Sequence, residues 1–134
     1  MKIVEQRHLN SHFEIYIDKG AGYADLFFHG GVSLEVINES LLSLIEHPAF
    51  RHNMNACYDY SDAIIETTMR DVENHAHFVE EYTGKRGANY KLALVTNETL
   101  NSAILNVYKL RISKTSIEAE IFGTKKQALN WLRK

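Results

Sequence analysis

Apolar positions along the chain fall into two rhythms, one of period two and one near 3.6. Residues 12–18 alternate, with Phe13, Ile15 and Ile17 set against His12, Glu14, Tyr16 and Asp18. That spacing predicts a half-buried strand, because successive side chains of a strand point to opposite faces. Lys19-Gly20-Ala21-Gly22 reads as a turn, and residues 23–29 as a second strand closing an antiparallel hairpin. Residues 2–7 are read as a short additional edge strand. Gly30-Gly31-Val32 breaks the pattern, and Ser33 is placed to cap a helix. In that helix Leu34, Ile37, Leu41, Leu44 and Ile45 share one face, and Pro48 disfavours helix beyond His47.

The alternation of strand and helix continues to the end of the chain. Residues 54–60 predict a strand. Thr68 caps a helix whose stripe is Met69, Val72, Ala76, Val79 and Tyr82, with Asp71 as capping-box partner and Gly84 and Gly87 as its stop. Residues 90–96 are the strongest buried-strand signal. Asn97 caps a helix carrying Leu100, Ala103, Ile104, Val107 and Leu110. Residues 116–122 give the last strand, and Thr124 with Gln127 opens a short closing helix through Ala128, Trp131 and Leu132. The order ββαβαβαβα predicts an α/β fold with a mixed, mostly parallel sheet and flanking helices. With no repeat, linker or low-complexity tract, residues 1–134 read as a single domain.

Composition narrows the function classes. The chain has 134 residues and a net charge of −2 with histidines neutral. Its lysines and arginines are scattered, which argues against nucleic acid, a partner that selects a concentrated basic face. No stretch approaches the ~20 apolar residues of a membrane span. The opening residues lack the apolar run of a signal peptide, so the expectation is a cytoplasmic protein. The single cysteine, Cys57, excludes an internal disulfide and a Cys-rich zinc site, and reads as a buried thiol.

Candidate chemistry is sparse. Neither metal nor cofactor is expected: His75 and His77 fall about 200° apart around a helix, and no H-E-x-x-H, G-x-G-x-x-G or P-loop motif occurs. No G-x-S-x-G elbow occurs either. Asp59 and Asp62 are the one carboxylate pair on offer for acid–base work, and they serve equally as turn and cap residues. In open α/β sheets ligands sit beyond the carboxyl ends of the strands. Gly30-Gly31, the stretch from Asp59 to Thr68, and Thr96-Asn97 all fall there. Phe28, Tyr58, Asp59, Tyr60 and Met69 are candidates to line a pocket for a small apolar or lipid-like ligand, which needs a cavity of at least ~300 Å³. The aromatic members of that set fit plain core equally well.

Several phrases give the chain a family likeness. These are Gly30-Gly31-Val32-Ser33, the stretch from Glu46 to Ala63 (EHPAFRHNMNACYDYSDA), Lys91 to Thr96 (KLALVT) and Ile121 to Leu132 (IFGTKKQALNWL). With them the chain resembles the SpoIIAA-like family of small bacterial proteins, related to STAS domains and anti-sigma-factor antagonists. The resemblance implies a mixed sheet with helices and a non-enzymatic, regulatory role in binding another protein. In the antagonists a Ser or Thr at the start of the second helix is phosphorylated. Here Thr67 and Thr68 stand in that place, with Asp62, Glu66 and Asp71 around them as the partner surface. The antagonists' Asp-Ser-x-Gly signature is not present. Sec14-like relatives of this fold hold apolar ligands, which is the alternative, a carrier or sensor. A homodimer through an exposed edge strand is compatible with either reading.

Overall fold

Hydrogen-bonded pairing of six strands in the simple order β1-β2-β3-β4-β5-β6 organises the computed structural model, which describes residues 4–134. The elements are β1 (Gln6–Leu9), β2 (Phe13–Asp18), β3 (Tyr23–Val32), α1 (Leu34–Glu46), β4 (Asn55–Ile65), α2 (Met69–Glu81), α3 (Thr83–Arg86), β5 (Lys91–Val95), α4 (Thr99–Ile112), β6 (Glu118–Phe122) and α5 (Lys125–Leu132). The β1–β2 and β2–β3 pairs are antiparallel, and the three pairs from β3 to β6 are parallel. The mixed, mostly parallel sheet read from the sequence is therefore present. Residues 2 and 3 of the expected edge strand lie outside the described residues. Its remainder is β1, shifted to end at Leu9.

The period-two pattern divides the sheet into two faces. Phe13, Ile15, Ile17, Leu26, Phe28, Tyr58, Tyr60, Leu92 and Leu94 enter one core with α1, α2 and α4. The alternate residues Tyr23, Cys57, Ala93 and Val95 pack against Ala128 and Leu132 of α5. Helix α5 touches β4, β5 and β6. Fully burying a large aliphatic or aromatic side chain stabilises by roughly 1.5–3 kcal/mol, so the three-helix face supplies most of the driving force.

The predicted caps are in place. Ser33 Oγ accepts from the Val36 N–H at 3.4 Å, and Thr124 Oγ1 from the Gln127 N–H at 3.2 Å. Thr68 and Asp71 form a reciprocal capping box, with Thr68 Oγ1 accepting from Asp71 N–H at 3.1 Å and Asp71 Oδ2 from Thr68 N–H at 3.0 Å. Helix α4 differs: its cap is Glu98, whose carboxylate accepts from the Asn101 N–H at 2.8 Å, one residue beyond the expected Asn97.

Three further expectations are corrected. Strand β3 does not break at Gly30-Gly31 but runs on to Val32. Gly30 takes φ 67°, open to glycine at little cost, and a side chain at Gly31 would collide with the Glu66 carboxylate. Strand β4 likewise runs past Tyr60 to Ile65. Phe27 pairs with Asp59 and His29 with Asp62, so β4 carries a bulge across Tyr60 and Ser61 that shifts its alternation. Finally, α4 is rotated from the expected stripe. Leu100 and Leu110 are each 70% exposed, while Asn101, Leu105, Tyr108 and Ile112 are buried. Met69, expected in the core stripe of α2, is also exposed.

Candidate functional site

The carboxyl ends of β3 and β4 extend beyond that of β5, and one side chain makes this stable. Asn101 is fully buried. The Ile65 N–H donates to its Oδ1 at 2.8 Å, and its Nδ2 donates to the Ala63 carbonyl at 2.9 Å and to Thr96 Oγ1 at 3.2 Å. The amide thus stands in for the strand that β5 no longer provides, satisfying backbone groups that would otherwise be orphaned. It pins β4 to the first turn of α4. Ile64 and Leu100 are the chain neighbours of Ile65 and Asn101. Both are exposed, as is Met69 at the start of α2, with relative exposures of 50%, 70% and 63%.

The two threonines at this end differ. Thr68 is exposed and its hydroxyl is the α2 cap. Thr67 Oγ1 is buried without a hydrogen-bond partner among the described residues and lines an internal cavity. Of the acidic residues read as a partner surface, Glu66 is exposed beside Gly31 and Asp71 holds the capping box. Asp62 is exposed and receives His29, whose Nδ1 lies 3.0 Å from Asp62 Oδ2 and whose Nε2 lies 3.6 Å from Glu14 Oε1.

Asp59 is turned the other way from the cavity. Its Oδ1 accepts from Ser61 N–H at 2.9 Å and Ser61 Oγ at 2.6 Å, and its Oδ2 lies 3.4 Å from Lys125 Nζ. Lys125 also meets Asp25 at 2.5 Å and lies over the Phe27 ring, 3.6 Å from its centroid. This ionic cluster belongs to the α5 face. Asp59 and Asp62 therefore work with different partners and do not converge as an acid–base pair.

The cavity lies between the sheet and helices α1, α2 and α4. Its volume is about 50 Å³, room for about three or four waters at ~15 Å³ each. A lipid-like ligand does not fit. The rings of Phe28 and Tyr60 stack with centroids 4.7 Å apart, and Phe28 and Tyr58 lie at 5.7 Å, filling the space such a ligand would need. Tyr58 and Tyr60 do line the cavity. Phe28 packs behind them, and Asp59 and Met69 lie elsewhere.

Asp71 and Thr67 also line the cavity, and sequence reading missed four further polar members of the wall: His75, Arg86, Tyr90 and Tyr108. Arg86, on the α3 turn, is 1% exposed, and its Nη1 and Nη2 have no hydrogen-bond partner among the described residues. Its guanidinium lies over the Tyr90 ring, 3.5 Å from the centroid, and 5.6 Å from that of Phe50. Burial pushes the phenols upward: Tyr58 to about 12, and Tyr60, Tyr90 and Tyr108 above their ordinary value, so all four remain protonated donors at neutral pH. Burial holds His75 down to about 4. Its neutral ring donates from Nδ1 to Asn38 Oδ1 at 2.6 Å and packs on Tyr108. The one local signal for a special Arg86 was the pair of glycines, Gly84 and Gly87, that brackets Lys85-Arg86.

Among the described residues no three His, Cys, Asp or Glu side chains gather as a metal site, and no helix is long and apolar enough to cross a membrane.

Comparison with known proteins agrees with this architecture. No curated protein matches the chain. The crystal structure of an uncharacterized protein of the DUF3478 family with a SpoIIAA-like fold, from Shewanella loihica PV-4, superposes with a TM-score of 0.57. The two are 17% identical, and the match covers 93% of this chain and 98% of that one. The SpoIIAA-like fold expected from the sequence is therefore the fold of this chain. Residues 53–134, from the loop before β4 to the end, match the family described as domain of unknown function DUF7793, and the chain belongs to that family.

Proposed function

We propose that the domain is a non-catalytic regulatory module that binds another protein at the carboxyl ends of β3 and β4 and the start of α2. The carrying observation is the exposure of Met69 and Leu100 in the first turns of α2 and α4, both of which start at the carboxyl end of the sheet. Large apolar side chains exposed together and rimmed by polar residues mark contact surfaces. Here the flanking charged residues are Glu66, Asp71 and Arg70, with carboxylates in the majority, and Asp62 lies on the other face of the sheet with His29. The fitting partner presents an apolar anchor flanked by lysine or arginine. The two carboxylates the sequence offered for catalysis are already committed, Asp59 to Ser61 and Lys125 and Asp62 to His29, which supports a non-catalytic reading.

Thr68 is the residue through which a kinase would act on this surface, because its side chain is exposed whereas the Thr67 hydroxyl is enclosed. A phosphate there adds about two negative charges at a helix N-terminus, tolerated by the helix but altering an already acidic rim. The test is the double variant Met69→Asp, Leu100→Asp. Both residues are exposed, so the melting temperature should hold, while affinity for the partner captured by the wild type falls at least tenfold. Undiminished capture by the folded variant would remove this surface from the account.

A further inference from the structure

The sheet ends in two edge strands, β1 and β6. Helices α4 and α5 flank β6, whereas all four residues of β1 are exposed. The Asn10 N–H donates to the Phe13 carbonyl at 2.8 Å, which fixes the phase of the antiparallel β1–β2 ladder. Hydrogen-bonded pairs alternate along such a ladder. His8, like Asn10, therefore points its backbone groups at β2, and Arg7 and Leu9 point theirs outward. Among the described residues no strand lies on that outer side. Arg7 and Leu9 thus each display an N–H donor and a carbonyl acceptor, two residues apart on a bare edge. Their side chains are also open. Leu9 is 57% exposed. Arg7 donates to the Tyr16 hydroxyl at 3.3 Å but meets no carboxylate among the described residues.

We infer that β1 is the contact through which two copies of this chain form a two-fold dimer, each β1 pairing antiparallel with the other. The register that leaves none of these groups unpaired sets Arg7 opposite the partner's Leu9, with His8 on the axis. Opposite residues share a face of the sheet, and Glu14 stands opposite Leu9 on β2. The partner's Arg7 therefore points across Leu9 towards Glu14, two strand spacings or about 10 Å away, which the two side chains span together. The Glu14 carboxylate accepts from the Tyr16 hydroxyl at 2.6 Å on one oxygen and has lone pairs to spare. The alkyl stem of the arriving arginine covers Leu9. Shifting the register to set Arg7 against the partner's Arg7 would place like charges directly opposite and engage fewer groups. On the helix side, a groove of about 460 Å³ lined by Gln6, His8, Ser43, Glu46 and His47 leaves room for the partner's His8. The Glu5 N–H turns inward to the Ile17 carbonyl at 3.1 Å, a bulge that stops the pairing beyond Arg7. An edge that pairs with itself closes at two copies. The contact is independent of the surface at Met69 and Leu100 and stands or falls separately from it.

The test is sedimentation equilibrium of the full chain over a hundredfold range of concentration. The inference expects a monomer–dimer equilibrium that ends at twice the chain mass. Leu9→Pro removes one outward donor from each copy without touching a bond to β2. It should lower dimer affinity at least tenfold with the circular dichroism spectrum unchanged. Arg7→Glu should weaken the dimer by a similar factor, because symmetry repeats the reversal, and adding Glu14→Arg should restore it. A monomer at every concentration would overturn the inference, as would open-ended oligomers or a dimer as stable in Leu9→Pro as in the wild type. So would failure of the second charge reversal to recover what the first lost. Should Leu9→Pro fail to fold, the charge pair decides the matter.

Discussion

At the scale of single residues, the molecule commits its buried polar groups unevenly. Asp59 and Asp25 share Lys125, and Asn101 satisfies three backbone or hydroxyl groups. Among the described residues, Arg86 and Thr67 are left with side-chain atoms that have no hydrogen-bond partner. None of this was legible in the sequence, where Lys85-Arg86 and Lys125-Lys126 look like two equivalent basic pairs. The difference is made by distant partners, Tyr90 and Phe50 for one and Asp25 and Asp59 for the other. His75 gives a prediction at this scale. Its folded pKa of about 4 lies below the usual 6.5, so the unfolded chain binds the proton more readily. Stability is full above pH 6.5, falls as pH drops towards 4, and then levels. The His75 contribution lost is on the order of 3 kcal/mol. His47, also held down chiefly by burial, acts in the same direction. Denaturant unfolding of the wild type and His75→Gln at pH 7 and pH 4.5 should show a shallower loss in the variant. Equal losses would place the acid sensitivity elsewhere.

At the scale of elements, what was local was readable and what was long-range was not. The caps at Ser33, Thr68 and Thr124 depend on hydroxyls three residues from their donors, and each stands where the sequence put it. The ends of β3 and β4 depend on partners far along the chain. Gly30-Gly31 looks like a turn until Glu66 is known to pass over it, and Ser61-Asp62 looks like a loop until the bulge is known to shift the alternation. Helix α4 has apolar residues around much of its circumference, so periodicity offered more than one buried face. The amide of Asn101 chose between them. Replacing it tests that role. Asn101→Ala strands the Ile65 N–H and the Ala63 carbonyl, and should cost about 2–4 kcal/mol on the scale of two unsatisfied buried groups. Hydrogen exchange should localise the weakening to residues 63–65 and the first turn of α4. A uniform loss of protection across the sheet would contradict the clamp.

At the scale of the whole molecule, the mixed sheet, the SpoIIAA-like fold and the order of elements apart from α3, where one helix ending at Gly84 and Gly87 was expected, followed from periodicity and phrase-level likeness. The candidate site followed only in outline. Its position at the strand carboxyl ends came from topology, and Thr68, Glu66 and Asp71 lie there. The apolar part of the surface came from the structure, because Met69 and Leu100 fit core stripes on a helical wheel and only the packed helices show that they face outward. Three helices cover one side of the sheet and α5 the other, and α5 runs away from the carboxyl end of the sheet, so its last turn can serve as control for the docking end. The most direct measurement is therefore photo-crosslinking in the native host with a benzoylphenylalanine probe placed at Met69 or at Asn130, an exposed position in the last turn of α5. The account predicts one discrete crosslinked protein from position 69 and none from position 130. No adduct at 69, or the same adducts at both positions, would contradict it.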